Sequence, residues 1–171
     1  MINIVRGLTY FVVFVLIQVL FLNNIHFLRL TTPFLYIYFI IKLPVGYSSM
    51  RVTFLSFLLG LVMDTLSNTS GMHAAACTLI GFVRPYIIEL FMREDLPENL
   101  YPSYKSFGYG NFIRFTLVLV VLHHLALFLI ESLTLFDPLF LALRIPGGIV
   151  LTMLFICMVE SFNRESRRNE D

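Results

Sequence analysis

Long apolar runs separated by short polar clusters make up most of the chain, and they lack the period-two alternation of barrel strands. In hydrocarbon every backbone polar group needs a partner, which helices supply within themselves, so helical spans are the predicted elements. The first run covers residues 4–22 and is closed by Asn23 and Asn24. No small-residue cleavage site follows it, so it reads as a retained helix rather than a removed signal peptide. A second run covers 31–43, with Pro33 in its first turn and Pro44 at its end. As a helix it rises about 20 Å, short of a hydrocarbon core of about 30 Å. It therefore tilts little, thins the bilayer locally, or continues irregularly past Pro44.

A third run at 48–66 and a fourth at 72–91 flank the polar turn from Ser67 to Gly71. Residues 92–110 are broken by Pro97, Pro102, Gly108 and Gly110 and carry several charges, which predicts a surface loop. A fifth span covers 111–130. Residues 131–145 include Asp137-Pro138 and an apolar piece too short to cross, so a helix lying at the interface is expected there. The sixth span, 146–162, precedes a charged tail at 163–171. The predicted fold is an all-α integral membrane protein, a six-transmembrane-helix bundle forming a single membrane domain over 1–171.

Composition agrees. Hydrophobic residues make up 58% of the chain and charged ones 13%, with a mean hydropathy of +0.83. A soluble domain carries about a quarter of its residues charged. A soluble enzyme, a nucleic-acid binder and a disordered tail are excluded. The net charge of +1 provides no global field, but the placement of cations is informative. Arg6, Lys42, Arg51, Arg84, Arg93, Lys105, Arg114, Arg164, Arg167 and Arg168 fall on one side of six spans, and Arg29 and Arg144 on the other. Lys and Arg favour cytoplasmic loops, so both termini of this multi-pass chain are expected in the cytoplasm. Tyr10, Tyr47, Tyr86 and Tyr109 lie at the cytoplasmic boundaries of this topology. Cys77 and Cys157 sit inside apolar runs and read as small buried hydrophobes.

The stretch from Gly60 through Asp64 and Ser67 to Gly71 and His73 has the most unusual chemistry. A carboxylate near the C-terminus of a helix is unfavourable for that helix. It becomes favourable by reaching over the turn to the free N–H groups of the next helix. Ser70 fits as that helix's cap, Gly71 allows close approach, and His73 is placed to hydrogen-bond Asp64. The expected role is a polar clasp between two spans, with a ligand-binding or catalytic Asp–His pair as the alternative.

The pattern Gly60-x-x-x-Asp64-x-x-Ser67, followed by Gly71-Met-His73-Ala74, resembles the MreD family of bacterial rod shape-determining membrane proteins. Arg84 in the following span and Arg144-Ile-Pro-Gly147-Gly148 before the last one add to the likeness. The resemblance implies a six-helix fold similar to the substrate-binding subunit of energy-coupling-factor vitamin transporters. It also implies a non-enzymatic scaffold that joins MreC, the actin-like MreB, and the elongation polymerase and transpeptidase. It brings no catalytic residue, cofactor or metal site.

His123 and His124 are adjacent, about 100° apart around a helix, and Glu131 lies about 10 Å along the face of His124. Inter-helix hydrogen bonding is their expected role, ahead of a proton relay or a metal site, for which converging ligands are lacking. Pro85 predicts a kink, and Arg84 is expected to reach lipid phosphates or to pair with Glu89 or Glu160. Glu89 with Arg93 and Glu160 with Arg164 have the spacing of solvated helix pairs. Arg29 and Arg144 suit interfacial anchoring, a lipid phosphate or an acidic partner. Gly60, and Gly147 with Gly148, permit close backbone approach. Gly148 and Thr152 share a stripe open either to a partner span or to internal packing.

Three functions follow, in order of expectation. The first is a scaffold docking partner spans. The second is a vitamin-type small-molecule binder with an outward pocket lined by Asp64, His73 and Arg144. The last is an intramembrane hydrolase using His123, His124 and Glu131.

Overall fold

The computed structural model describes residues 2–24, 32–92, 96–97, 99–133 and 138–168, with side chains excepted at 2–6, 24, 138–142 and 164–168. The described chain is 80% helix with no strand. Helix α1 is Ile2–Leu20, α2 Ile37–Ile41, α3 Ser49–Ser67, α4 Met72–Phe91, α5 Tyr104–Phe107, α6 Tyr109–Ser132 and α7 Pro138–Arg168. Four stretches are long and apolar enough to cross a membrane: α3, α4, α6, and Leu143–Asn163 within α7. The described part of α1, Gly7–Leu20, is apolar but shorter.

The third, fourth and fifth predicted spans match α3, α4 and α6 to within two residues at each end. The second does not. Residues 31–43 contain only the five-residue α2, flanked by turns and irregular backbone. Every residue from Pro33 to Pro44 is buried. Irregular backbone at membrane depth is tolerated where it is enclosed by protein rather than lipid, which is the case here. This buried strap runs through the bundle from the level of Thr152 to that of Glu160, both on α7, contacting α1, α4 and α6 on the way.

Two further expectations are corrected. Residues 138–145 form the first turns of α7 rather than a separate interfacial helix. Proline suits a helix's first position, and α7 continues through Pro146. Helix also extends through part of the expected tail, to Arg168. Within the expected surface loop 92–110, residues 99–108 are tied to one end of the bundle: Val45 N–H donates to the Leu100 carbonyl (2.9 Å), and Tyr104 and Phe107 are buried.

The bundle thus has two ends. At one, Asn23 Nδ2 donates to Ser67 Oγ (3.1 Å), joining the end of α1 to the α3–α4 turn. At the other, the strap's exit near Val45 meets the 99–108 segment. Small residues make the α3–α4 seam. A Cβ on Gly60 would lie 2.5 Å from Ala74 Cα and the His73 carbonyl oxygen, so only glycine permits this crossing. Gly81 meets Ser56 and Thr53 in the same way.

Candidate functional site

Hydrogen bonds that the strap cannot make to itself are supplied by polar side chains on the surrounding helices. Gln18, fully buried on α1, accepts from Leu35 N–H (2.8 Å) and Tyr36 N–H (3.4 Å) and donates to the Pro33 carbonyl (2.8 Å). Thr152 Oγ on α7 accepts from Phe34 N–H at 3.0 Å. Arg84 on α4 donates through Nη2 to the Ile41 carbonyl (3.3 Å) and to that of Leu43. At the far end Lys42 Nζ donates to Glu160 (2.8 Å) and the Pro102 carbonyl (2.7 Å), while Tyr38 OH donates to Glu160 (2.6 Å). One side chain from each of α1, α4 and α7 therefore replaces partners that a regular helix would have provided.

This placement corrects several expectations. Arg84 does not reach headgroups or Glu160. It is completely buried, its guanidinium 6.0 Å from the Phe115 ring centre. Glu160 is a buried acceptor for Lys42 and Tyr38 rather than a solvated helix charge. Thr152 and Gly148 face inward, so their stripe is internal. Arg29 and Arg93, and the side chain of Arg164, lie outside the described residues.

The Asp64 clasp forms on the free N–H groups of α4, as expected, with Thr69 as an added partner. Oδ1 accepts from His73 N–H (3.1 Å) and Thr69 Oγ (2.6 Å), and Oδ2 from Ala74 N–H (2.8 Å). The carboxylate thus caps α4 at its positive end. Ser70 does not serve as the cap, because Gly71 occupies that position with no capping side chain of its own. Gly71 is needed for its φ of +83° rather than for close approach, since a Cβ there would meet nothing within 4 Å. Asn68 takes the left-handed conformation that ends α3.

His73 bonds Asp64 only through its backbone. Its imidazole Nδ1 lies 2.7 Å from Tyr36 OH, which is also 2.7 Å from His123 Nε2. A phenol has one hydrogen, so Tyr36 donates to one ring and accepts from the other. If Tyr36 donated to His123, the His123 Nδ1 would carry a buried hydrogen without a partner. The favoured order runs from His123 Nε2–H to Tyr36 to His73 Nδ1 and leaves only a lone pair unused. His124 Nδ1 donates to the Val120 carbonyl (2.8 Å), which leaves Nε2 to accept from Thr152 Oγ (3.4 Å). Gly148 makes room for this ring, since a Cβ would stand 2.9 Å from His124 Cδ2. Gly147, beside it, is half-buried.

Two imidazoles bridged by a phenol can pass a proton, but this trio sits in the bundle against Phe34, with Tyr36 and His123 fully enclosed. Glu131 is not part of it. It pairs with Arg144 (2.6 Å), whose guanidinium lies 4.7 Å from the Phe128 ring centre. Among the described residues no three His, Cys, Asp or Glu side chains converge as a metal site would require. Sequence reasoning missed Gln18 and Tyr36. Gln18 had a signal, as a lone amide deep in the first apolar run. No protein-family model matches the chain, and neither a curated protein nor a solved structure does.

Proposed function

We propose that this chain is a non-enzymatic scaffold of the MreD type in a bacterial cytoplasmic membrane. It would join MreC, and through it or directly MreB with the elongation polymerase and transpeptidase, so that wall synthesis keeps a rod shape. The supporting observation is how the intramembrane polar groups are used. Gln18, Asp64, Thr152 and Glu160 are committed to holding the strap and the α3–α4 turn, and Arg84 gives Nη2 to the strap while its buried Nε and Nη1 make no hydrogen bond. The outward faces are left apolar. On α1 Leu8, Val12, Leu16 and Leu20 form one exposed stripe at a spacing of four. In lipid such faces associate by packing with other spans rather than by a hydrophobic driving force.

The vitamin-binder reading needs Asp64, His73 and Arg144 around one outward pocket. Instead Asp64 caps α4, His73 bonds Tyr36, and Arg144 pairs with Glu131. That favours the scaffold. The test is depletion in a rod-shaped host with parallel affinity purification. The scaffold reading expects rounding of cells, unchanged solute uptake and recovery of MreC with the tagged chain. Thermal stabilisation of the purified protein by a vitamin, or turnover of a small substrate by it alone, would overturn it.

A further inference from the structure

Between α1, the strap and α3 lies a pocket of about 410 Å³ lined by Gly7, Phe11, Phe39, Leu55 and Leu58, with Lys42 among its walls. The lining is almost wholly apolar, and pockets that hold small ligands run to about 300–1,000 Å³. Ordered water needs two to four polar partners, and the polar side chains here are only Lys42, already held by Glu160, and Tyr10, Tyr47 and Tyr101. An empty space would forfeit dispersion contacts along its walls. The walls on α1 and α3 belong to apolar helices of a membrane bundle, so the acyl chains of the bilayer are the natural occupant.

A headgroup position accompanies the pocket. Arg51, exposed in the first turn of α3, precedes Leu55 by four residues and Leu58 by seven, so all three share one face. Arg51 stands about 6 Å nearer the membrane boundary than Leu55. A cation at the positive end of a helix dipole is well placed only for an anion. Lys42 does not compete for that role, because its ammonium is held by Glu160. Gly7 lies on the pocket wall, and a Cβ there would meet nothing within 4 Å.

We infer that the protein seats one anionic phospholipid from the leaflet on the Arg51 side, an acyl chain in the pocket and the phosphate at Arg51. The site stands independently of the scaffold reading. Gly7→Leu adds bulk to the pocket wall at a position where an added Cβ meets nothing within 4 Å, and it raises helix propensity, so the variant is expected to fold. The test is native mass spectrometry of the full chain after equilibration in detergent micelles with equal phosphatidylglycerol and phosphatidylcholine. The wild type is expected to retain one lipid per chain, with phosphatidylglycerol favoured at least fivefold. Gly7→Leu should cut retention of both lipids about tenfold with no fall in Tm. Arg51→Gln should retain a lipid but lose the headgroup preference. Wild-type protein free of lipid, Gly7→Leu binding as wild type, or Arg51→Gln keeping the preference would each overturn the assignment.

Discussion

Gln18 shows how much a single polar side chain can carry inside a membrane. Its amide holds two N–H groups and one carbonyl of the strap at once. Leucine has nearly the same volume, so Gln18→Leu removes hydrogen bonds with little change in packing. Each buried group left without a partner costs about 1–3 kcal/mol. The variant is therefore expected to lose about 3 kcal/mol or more, measured by reversible unfolding in mixed detergent and SDS. Gln18→Glu, protonated in so enclosed a site, keeps an acceptor oxygen and one O–H donor, and should fall between the two. Equal stability of Gln18→Leu and wild type would mean that the strap's amides find other partners. Asp64 is the contrasting case at this scale. Its acceptor role was legible in the sequence because its partners lie only five to ten residues away, across one turn. Tyr36 was not, because its two histidines lie 37 and 87 residues away.

At the scale of elements, the helices that satisfy their own backbone were readable from apolar runs and polar turns. The strap was not, because its partners are remote: Thr152 is 118 residues from Phe34, and Glu160 is 118 from Lys42. The shortness of the 31–43 run and its bounding prolines signalled irregularity, yet no local pattern names a partner so far along the chain. The Lys42–Glu160 pair fastens this element to α7, with side chains 7% and 4% exposed. Breaking a buried pair leaves an uncompensated charge, so Lys42→Met alone should cost about 3–5 kcal/mol. The double variant Lys42→Met with Glu160→Leu should recover much of that loss, and strictly additive effects would show that the two groups are not coupled. The glycines separate by what they touch. Gly60→Ala drives a methyl into the backbone of α4, whereas Gly148→Ala meets the edge of the His124 ring. Overpacking costs about 1–3 kcal/mol where neighbours cannot move. The same unfolding assay should place Gly60→Ala at or above that range and Gly148→Ala below it.

For the whole molecule, the buried strap changes how the charge bias is to be read. Lys42 and Arg84 belong to the bundle interior, so they no longer count as loop cations. Of the ten on the proposed cytoplasmic side, Arg6, Arg51, Arg93, Lys105, Arg114, Arg164, Arg167 and Arg168 remain, against Arg29 and Arg144. Arg144 is itself neutralised by Glu131. The bias survives, and with it the expectation that the end holding the 99–108 segment faces the cytoplasm. Exposed Asn99 and Ser70 lie at opposite ends of the bundle and make suitable reporters. With Cys77 and Cys157 replaced by alanine, Asn99→Cys should react with an impermeant maleimide only after the cells are opened. Ser70→Cys should react in intact cells whose outer barrier has been permeabilised. The reversed pattern would invert the molecule and leave the α3–α4 turn, with its Asp64 clasp, facing the cytoplasm. Labelling of both positions from one side would be incompatible with α3 and α4 as two full crossings joined by the α3–α4 turn.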